Sequence, residues 1–257
     1  GGFTGYRGAY MLRQAAATRP ALSIPIVCMP ASINNDLPGS ELSVGADTAL
    51  NSIVRDVDKI KQSAVASQRT FVVEVMGKEC GYLALMSGLA TGAERVYLPE
   101  EGITLRDLQV DVEALSASFA RGKRLGLVIR SENADDVYTT SFIKALFERE
   151  GGDLFDVREA VLGHVQQGGN PSPFDRIQAT RLASTSIRQL VDLANRTEQT
   201  GLMAGLRQGK VRFTPLDDLP QLMEPHERRP RRQDWLDLRP LAEVMVGRGA
   251  PATGWPR

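Results

Sequence analysis

The amino-acid sequence predicts an α/β protein with mostly parallel sheets. Short apolar runs alternate with helical stretches along the chain, which is typical of strand–helix–strand units. Polar, glycine-containing loops follow several of these runs, at the position where open parallel sheets bind ligands. The 257 residues, of which 42% are hydrophobic and 24% are charged, suffice for one large domain or two smaller lobes.

Strand patterns and helix patterns alternate along the chain. A buried strand is predicted over 22–29, because the run L-S-I-P-I-V-C-M is apolar and ends at Pro30. Apolar residues at helical spacing predict a helix over 48–66, and the β-branched run T-F-V-V-E-V predicts a strand over 70–75. Further strands are predicted over 96–98, 125–129 and 157–163, and further helices over 82–90, 105–120, 141–150 and 173–193. The Gly/Pro-rich tail over 247–257 is predicted to be disordered.

Composition narrows the function classes. Lys plus Arg and Asp plus Glu each total 31, so the basic surplus typical of a nucleic-acid-binding protein is missing. Cys28 and Cys80 form neither a disulfide framework nor a metal-ligand pattern, and we expect both in the core. No membrane span and no signal peptide are expected on this chain, which favours a cytoplasmic location. The start G-G-F-T-G-Y suggests a fragment that begins at a strand-to-turn junction.

Four loops follow predicted strands and carry polar side chains. The loop 30–39 is rich in hydroxyl, amide and carboxylate groups, although a plain Asx turn also explains it. The turn 76–81 places glycine amides before a helix, where anions bind, but many strand–helix junctions contain glycine. His164 lies in the glycine-rich loop 163–171, and Glu100 lies in an acidic turn; both also have ordinary structural explanations.

Four long motifs resemble the phosphofructokinase family. P-A-S-I-N-N-D-L-P-G (30–39) with G-A-D-T-A-L-N (45–51) is similar to the family's P-G-T-I-D-N-D-I-P-G and G-x-D-T-A-L-N. V-E-V-M-G-K-E-C-G-Y-L-A-L (73–85) and L-G-H-V-Q-Q-G-G-N-P-S-P-F-D-R (162–176) resemble V-E-V-M-G-R-x-x-G-x-L-A-L and L-G-H-x-Q-R-G-G-x-P-S-x-F-D-R. G-G-F-T-G-Y-R-G-A (1–9) is similar to G-G-D-G-S-Y-x-G-A. The motifs keep the family's order over residues 1 to 245.

The departures from these motifs bear on catalysis. In catalytic members the first Asp of T-I-D-N-D is the base that takes the sugar hydroxyl proton, and that position here is Asn34. The Asp that serves the magnesium–nucleotide site is replaced by Phe3, and the Arg of H-x-Q-R is replaced by Gln167. An amide cannot act as a general base, and a phenyl ring cannot ligate Mg²⁺. The same departures resemble the C-terminal, regulatory half of the long, duplicated phosphofructokinases.

The resemblance implies a sugar-phosphate site in this half and no intact catalytic residue. Its expected site residues are Ser32, Asn34, Asn35, Arg69, Met76, Gly77, Lys78, Glu100, Arg158, His164, Gln166, Gln167 and Arg228. Asp36 keeps the family's second Asp and is interpreted as a hydrogen-bonding residue. Cations would hold the phosphates, while amides and Glu100 would bind the sugar hydroxyls.

The resemblance also implies two lobes with the sugar-phosphate site between them. The expected divisions are 1–45 and 166–215 for the nucleotide-side lobe, 46–165 for the sugar-phosphate lobe, and 216–246 for a segment that returns to the latter. Arg69 and Arg158 occupy positions that reach a neighbouring half, so the expected partners are an N-terminal catalytic half and further copies in a dimer or tetramer. Mg-ATP would serve the catalytic half, and no cofactor is expected here. A stand-alone sugar-phosphate-binding protein and a kinase with a substitute base remain alternatives.

Overall fold

The computed structural model describes residues 2–64, 68–196 and 200–245. The chain forms two compact units, one from Gly1–Thr48 and Gly169–Asp234 and the other from Ala49–Gly168 and Trp235–Arg257. Residues 216–234, which the family resemblance assigns to the sugar-phosphate lobe, lie with the first unit. The tail that we predict to be disordered lies outside the described residues.

The first unit contains a three-stranded sheet with the strand order β1–β6–β7. Its elements are α1 (Gly2–Ala16), β1 (Ile26–Cys28), α6 (Pro173–Asn195), β6 (Gly201–Arg207), β7 (Lys210–Pro215) and α7 (Leu219–Leu222). Strands β1 and β6 are parallel, with Ile26 opposite Gly201, whereas β6 and β7 are antiparallel. The apolar core packs Tyr6 and Leu37 with Met203, Leu216, Leu219 and Met223.

The second unit contains a four-stranded, entirely parallel sheet with the strand order β3–β4–β2–β5. Its elements are α2 (Ala46–Ala64, whose first turn belongs to the first unit), β2 (Arg69–Val75), α3 (Tyr82–Thr91), β3 (Arg95–Tyr97), α4 (Leu105–Ala120), β4 (Leu125–Ser131), α5 (Thr140–Gly151), β5 (Asp156–Val161) and α8 (Arg239–Met245). Residues of β2 and β4 with those of α4 and α5 form the core, including Val72, Leu108, Val128 and Phe147.

Local chemistry accounts for several element ends. Thr104 and Asp107 form a reciprocal capping box at the start of α4, which satisfies backbone amides that lack helical partners. Ser172 caps α6, and Pro173 follows at the first helical position, where a missing N–H costs nothing. Helix α3 ends at Gly92, whose φ of 72° lies in the left-handed region that glycine adopts without strain.

The α/β class with mostly parallel sheets is confirmed, and the strands and helices predicted between residues 48 and 193 are all present. Strand β1 is shorter than predicted, because a 3-10 turn occupies Pro20–Leu22 and Pro25 precedes the strand. Strand β5 ends at Val161 rather than at 163, since Gly163–Gln166 form a 3-10 turn. Among the described residues, no helix has the length and apolarity needed to span a membrane.

Two expectations near the ends of the first unit need correction. The expected strand-to-turn junction at the beginning of the sequence is wrong, because Gly2–Ala16 form one continuous helix. The hairpin β6–β7 is not among the predicted elements. Its turn contains Gln208 and Gly209, with φ of 50° and 70°, and this pair of positive values is typical of a two-residue hairpin turn.

Candidate functional site

The loop after β1 lies in the first unit and is closed by the side chain of Asn35. Its Oδ1 accepts a hydrogen bond from the backbone amide of Ser43 (2.8 Å), and its Nδ2 donates to the carbonyl of Glu41 (3.1 Å). Asn35 has a φ of 56°, in the left-handed region that asparagine tolerates better than most residues. The loop is closed a second time by the amide of Val44, which donates to the carbonyl of Pro30 (2.9 Å).

Two side chains of this loop donate hydrogen bonds to the carboxylate of Asp36. The hydroxyl of Ser32 donates to one oxygen (2.5 Å), and the Nδ2 of Asn34 donates to the other (3.4 Å). Asn34 is only 7% exposed, and its Oδ1 finds no hydrogen-bond partner among the described residues. A buried amide oxygen without a donor is unusual in a folded protein, because losing its hydrogen bond to water costs free energy. This oxygen can therefore accept a hydrogen bond from a ligand hydroxyl or a water molecule.

The turn after β2 holds Met76, Gly77 and Lys78 in the second unit. The backbone amides of Gly77 and Lys78 both donate to Oε1 of Glu132, at 3.1 and 2.8 Å. The amide of Gly81 donates to the carboxylate of Glu100, at 3.0 and 3.1 Å to its two oxygens. The expectation of bare amides that hold an anion at this turn is wrong, since two carboxylates of the chain already accept these hydrogen bonds.

Glycine is required at both ends of this turn. A Cβ atom on Gly77 would overlap the carbonyl oxygen of Cys80, and one on Gly81 would lie 2.6 Å from Oε2 of Glu100. Lys78 has a φ of 51° and is exposed, so its ammonium group can reach a ligand while its backbone closes the turn. The glycines of the motif are thus explained by close packing, of Gly77 against the backbone of Cys80 and of Gly81 against the side chains of Glu100 and Leu98.

Glu132 is the residue of this region that the sequence analysis missed. Val75, the last residue of β2, pairs with Ser131, the last residue of β4, and the amide of Glu132 donates to the carbonyl of Val75 (2.9 Å). This pairing brings Glu132 to the turn that begins at Met76. The polar run R-S-E-N directly after the strand predicted over 125–129 was the available signal, because ligands bind beyond the carboxyl ends of parallel strands.

The loop after β5 meets the same turn through Gln166. This side chain is 1% exposed; its Oε1 accepts from the amide of Met76 (3.2 Å), and its Nε2 donates to the carbonyl of Gly163 (2.9 Å). Gln167 is exposed and lies with its Nε2 3.6 Å from the sulfur of Met76. His164 is also exposed. Gln166 therefore ties the two loops together, while Gln167 and His164 are accessible to a ligand.

Arg69 and Arg158 lie elsewhere in the second unit. Both approach Oδ2 of Asp156, with Nε of Arg69 at 3.9 Å and Nη2 of Arg158 at 3.5 Å. Arg69 is the first residue of β2, whereas Met76 follows its last residue. Seven residues of extended strand span roughly 23 Å, so Arg69 cannot bind the same small ligand as the Met76 turn of its own unit.

Arg228 belongs to a turn of the first unit. The bridge between Met223 and Pro230 closes this turn, and the amide of Glu224 donates to the carbonyl of Arg229 (3.0 Å). The side chain of Arg228 is exposed, whereas Arg229 is largely covered and forms an ion pair with Glu227. Arg228 is thus presented to solvent by a closed turn.

Phe3 lies at the position to which the motif resemblance assigns the Asp of a magnesium–nucleotide site. It packs against the apolar core cluster that contains Tyr6 and Leu37. Mg²⁺ requires oxygen ligands in octahedral geometry, which an aromatic ring in an apolar cluster cannot supply. In the described parts of the chain, no group of three or more His, Cys, Asp or Glu side chains could hold a metal ion. The residues at this position do not fit magnesium–nucleotide binding.

The chain is similar to known phosphofructokinases in sequence and in structure. The family model "Phosphofructokinase" matches residues 1–190. The ATP-dependent 6-phosphofructokinase of Dictyostelium discoideum is 48% identical over 241 residues, which cover 93% of this chain and 29% of that protein. The muscle-type enzyme of Mus musculus is 42% identical over 258 residues, which cover 96% of this chain and 33% of that protein.

The similar solved structures are also phosphofructokinases. Phosphofructokinase from Pichia pastoris in the T-state has a TM-score of 0.90 and 38% identity, and the match covers 98% of this chain and 30% of that one. Phosphofructokinase from Saccharomyces cerevisiae has a TM-score of 0.92 and 34% identity, with 96% and 34% covered. The chain spans about a third of the length of the curated relatives that it matches. The family match over most of the sequence means that this chain belongs to the phosphofructokinase family.

Proposed function

We propose that this chain is the regulatory half of a longer ATP-dependent 6-phosphofructokinase and that it binds a sugar phosphate or bisphosphate as an effector. The whole protein would convert fructose 6-phosphate and ATP to fructose 1,6-bisphosphate and ADP. One observation carries the proposal: Asn34, in place of the catalytic base, is buried and offers an amide oxygen without a donor. Such a group favours binding of a sugar hydroxyl over abstraction of its proton.

The chemistry of Asn34 supports binding without turnover. A neutral amide has no usable proton affinity at neutral pH, and loss of a general base lowers a rate by about 10²–10⁴-fold. Phosphoryl transfer also relies on charge neutralisation at the phosphates, which Mg²⁺ supplies in kinases. Phe3 lies in an apolar cluster at the magnesium position. Mg-ATP is therefore assigned to the catalytic half of the protein.

Asp36 is a poor candidate for a substitute base. Its two carboxylate oxygens accept hydrogen bonds from Ser32 and Asn34, and the residue is 5% exposed. Both oxygens are therefore already used in the hydrogen bonds that shape the loop. We assign Asp36 the role of orienting the Ser32 hydroxyl and the Asn34 amide toward the ligand.

The phosphate groups would be held by Lys78, Arg228 and the exposed side chains of the loop after β5. Arg69 and Arg158 lie away from the Met76 turn of their own unit, which supports a site that a neighbouring half completes. Arginine is suited to this role because its planar guanidinium binds phosphate oxygens in pairs. We therefore propose that the assembled protein is a dimer or tetramer of long subunits.

A stand-alone sugar-phosphate-binding protein is the alternative from another functional class. The two are distinguished by the protein sequence upstream of this region. A preceding segment that contains T-I-D-N-D and an intact G-G-D-G-S would establish a catalytic partner half. A natural protein without such a segment would favour the alternative.

Calorimetric titration of the full-length protein with fructose 2,6-bisphosphate tests the effector site. The combined variant His164→Ala/Arg158→Ala should lose binding, whereas Arg106→Ala, an exposed arginine in the first turn of α4, should keep it. Unchanged binding in the combined variant would contradict the assignment of His164 and Arg158 to the effector site. Loss of turnover at saturating fructose 6-phosphate would instead mean that this half takes part in catalysis. Parallel titrations with fructose 6-phosphate and fructose 1,6-bisphosphate identify the preferred effector.

Two carboxylates compete for the role of binding the sugar hydroxyls. Glu100 is the residue that the motif comparison selects, and its carboxylate accepts one amide of this turn, that of Gly81. Glu132 lies directly against the Gly77 and Lys78 amides, and we add it to the proposed site. Glu132→Gln should weaken effector binding more than Glu100→Gln in the same titration; the reverse order would restore Glu100 as the sugar ligand.

A further inference from the structure

A buried arginine lies at the end of β4, next to the loop that begins at Glu132. Arg130 is the penultimate residue of β4 and is only 1% exposed. Its pairing partner on β2 is Glu74, and Nη1 of Arg130 lies 3.0 Å from Oε2 of Glu74. The hydroxyl of Thr140 donates to the same carboxylate oxygen. The charge of the guanidinium is thus compensated within the sheet.

Three further donors of Arg130 bind backbone carbonyls of a single loop. Nη1 donates to the carbonyl of Glu132 (2.9 Å), Nη2 to that of Asp135 (2.5 Å), and Nε to that of Tyr138 (3.1 Å). These carbonyls span seven residues of the loop between β4 and α5. A planar guanidinium fixes the directions of all its donors at once, so these carbonyls are held in one mutual arrangement.

The loop held in this way carries the carboxylate that binds the Met76 turn. Oε1 of Glu132 accepts the amides of both Gly77 and Lys78. The backbone of Glu132 is fixed on one side by Val75, whose carbonyl accepts its amide, and on the other by Arg130. No sequence motif pointed to Arg130, because its partners are spread over residues 74 to 138.

We propose that Arg130 is a positioning residue that holds Glu132, and through it the Gly77–Lys78 backbone, in the geometry of the ligand site. What this geometry binds rests on the function proposed above, whereas the positioning itself is independent of any ligand. Arg130 touches no ligand in this scheme. Lysine cannot replace it, because an ammonium group lacks the planar fork that reaches three carbonyls and a carboxylate together.

Amide hydrogen exchange of the ligand-free, full-length chain, followed by NMR, tests the positioning. Arg130→Lys should speed exchange at Gly77 and Lys78 by about 10-fold, as expected when a hydrogen bond to a charged group is loosened. Glu132→Ala should do the same, and the double variant should add little, because both changes remove one contact. Additive effects, or unchanged exchange at both amides in Arg130→Lys, would overturn the proposal.

A matched variant separates positioning from general loss of stability. Arg95 on β3 forms a comparable largely buried pair with Asp111, with Nε 2.9 Å from Oδ2, in the same unit. Arg95→Lys should lower the unfolding midpoint but leave exchange at Gly77 and Lys78 unchanged. Equal acceleration in both variants would mean that Arg130 acts only through stability. If Arg130→Lys does not fold, Glu74→Gln provides a milder test with the same expected sites of acceleration.

Titration of the same samples with fructose 2,6-bisphosphate separates the two proposals. Faster exchange in Arg130→Lys together with about 10-fold weaker binding supports both. Faster exchange in a protein that binds no sugar phosphate even in its unmodified form supports the positioning and contradicts the proposed function. Unchanged exchange with intact wild-type binding contradicts the positioning alone.

Discussion

The carboxylate of Asp175 accepts hydrogen bonds from both the backbone amide (2.8 Å) and the hydroxyl (2.5 Å) of Thr48, although 127 residues separate them in the sequence. The same carboxylate accepts the amide of Gly45 (2.8 Å). This contact joins the first turn of α6 to the first turn of α2 within one unit. Two of the motifs that identify the family, G-A-D-T-A-L-N and P-S-P-F-D-R, are therefore partners in one structural contact.

Asp175→Ala should destabilise the protein by about 3 kcal/mol, because it leaves three part-buried donors, two amides and a hydroxyl, without their acceptor. The carboxylate itself is buried, since only 3% of the residue is exposed. Urea unfolding followed by circular dichroism measures this change in the free energy of unfolding. Asp192→Ala, at an exposed site of the same helix, should change it by less than about 0.5 kcal/mol. Similar losses in both variants would contradict the structural role.

Gly205→Ala should destabilise the first unit and disturb the loop after β1. A Cβ atom on Gly205 would overlap the carbonyl oxygen of Gly39, which is backbone and cannot rotate away. We expect a loss of about 2 kcal/mol, as for other overpacked sites. Thermal unfolding provides the measurement.

Gly8→Ala is the matched control for this substitution. Gly8 lies inside α1, and a Cβ atom there would meet nothing within 4 Å. Alanine in a helix interior is favoured over glycine by roughly 0.5–1 kcal/mol, so this variant should be more stable than the wild type. A destabilised Gly8→Ala, or a stable Gly205→Ala, would contradict the packing described here.

Two buried tyrosines should respond in opposite ways to loss of their hydroxyl groups. The hydroxyl of Tyr97 donates to Asp111 (2.8 Å), whereas that of Tyr6 has no hydrogen-bond partner in the described ranges. Tyr97→Phe should cost about 1.5–3 kcal/mol at pH 7, and Tyr6→Phe should be neutral or stabilising. Chemical unfolding of both variants at pH 7 is the test, and equal losses would contradict it.

We expect the same tyrosines to make the folded protein less stable at alkaline pH. Burial raises the pKa of Tyr6, and burial together with the nearby Asp111 raises the pKa of Tyr97. A phenol with a raised folded-state pKa binds its proton more tightly in the folded state. The protonated phenols therefore contribute their full share to the free energy of unfolding below the unfolded-state pKa of about 10. This contribution falls as the pH rises above that value. Tyr6→Phe should weaken this decline in unfolding measurements between pH 9 and about 11; an unaltered decline would argue against it.

Asn34→Asp should destabilise the first unit at neutral pH. The new carboxylate would face Asp36, where the Asn34 amide now donates to Oδ2 at 3.4 Å, in a site with little water. Repulsion between two buried carboxylates favours protonation of one of them, so the loss should shrink in acid. Unfolding between pH 4 and 7 measures the effect. Asn170→Asp, at an exposed loop position, should show no such pH dependence.

The loop residues 30–39 illustrate how far the sequence alone could go. Their polar composition after an apolar strand marked a candidate site, and the family resemblance assigned a role to Asn34. The sequence could not reveal that Ser32 and Asn34 both donate hydrogen bonds to Asp36. That geometry depends on the left-handed backbone of Asn35. The hairpin β6–β7 was not predicted, because its turn also depends on a positive φ that the sequence does not signal. Gln208 has a φ of 50°, whereas Asn, Asp and Gly are the usual residues at such a position.

The sequence by itself determined the α/β class, most strands and helices, and the family, because periodicity and contiguous motifs are local properties of the chain. The tertiary structure decided which carboxylate lies at the Met76 turn. Glu132 reaches Gly77 only because β2 and β4 pair in parallel with Val75 opposite Ser131, and Arg130 shapes its loop through partners far apart in sequence. Such contacts depend on strand register and burial, which are set by the packing of the whole unit and not by neighbouring residues.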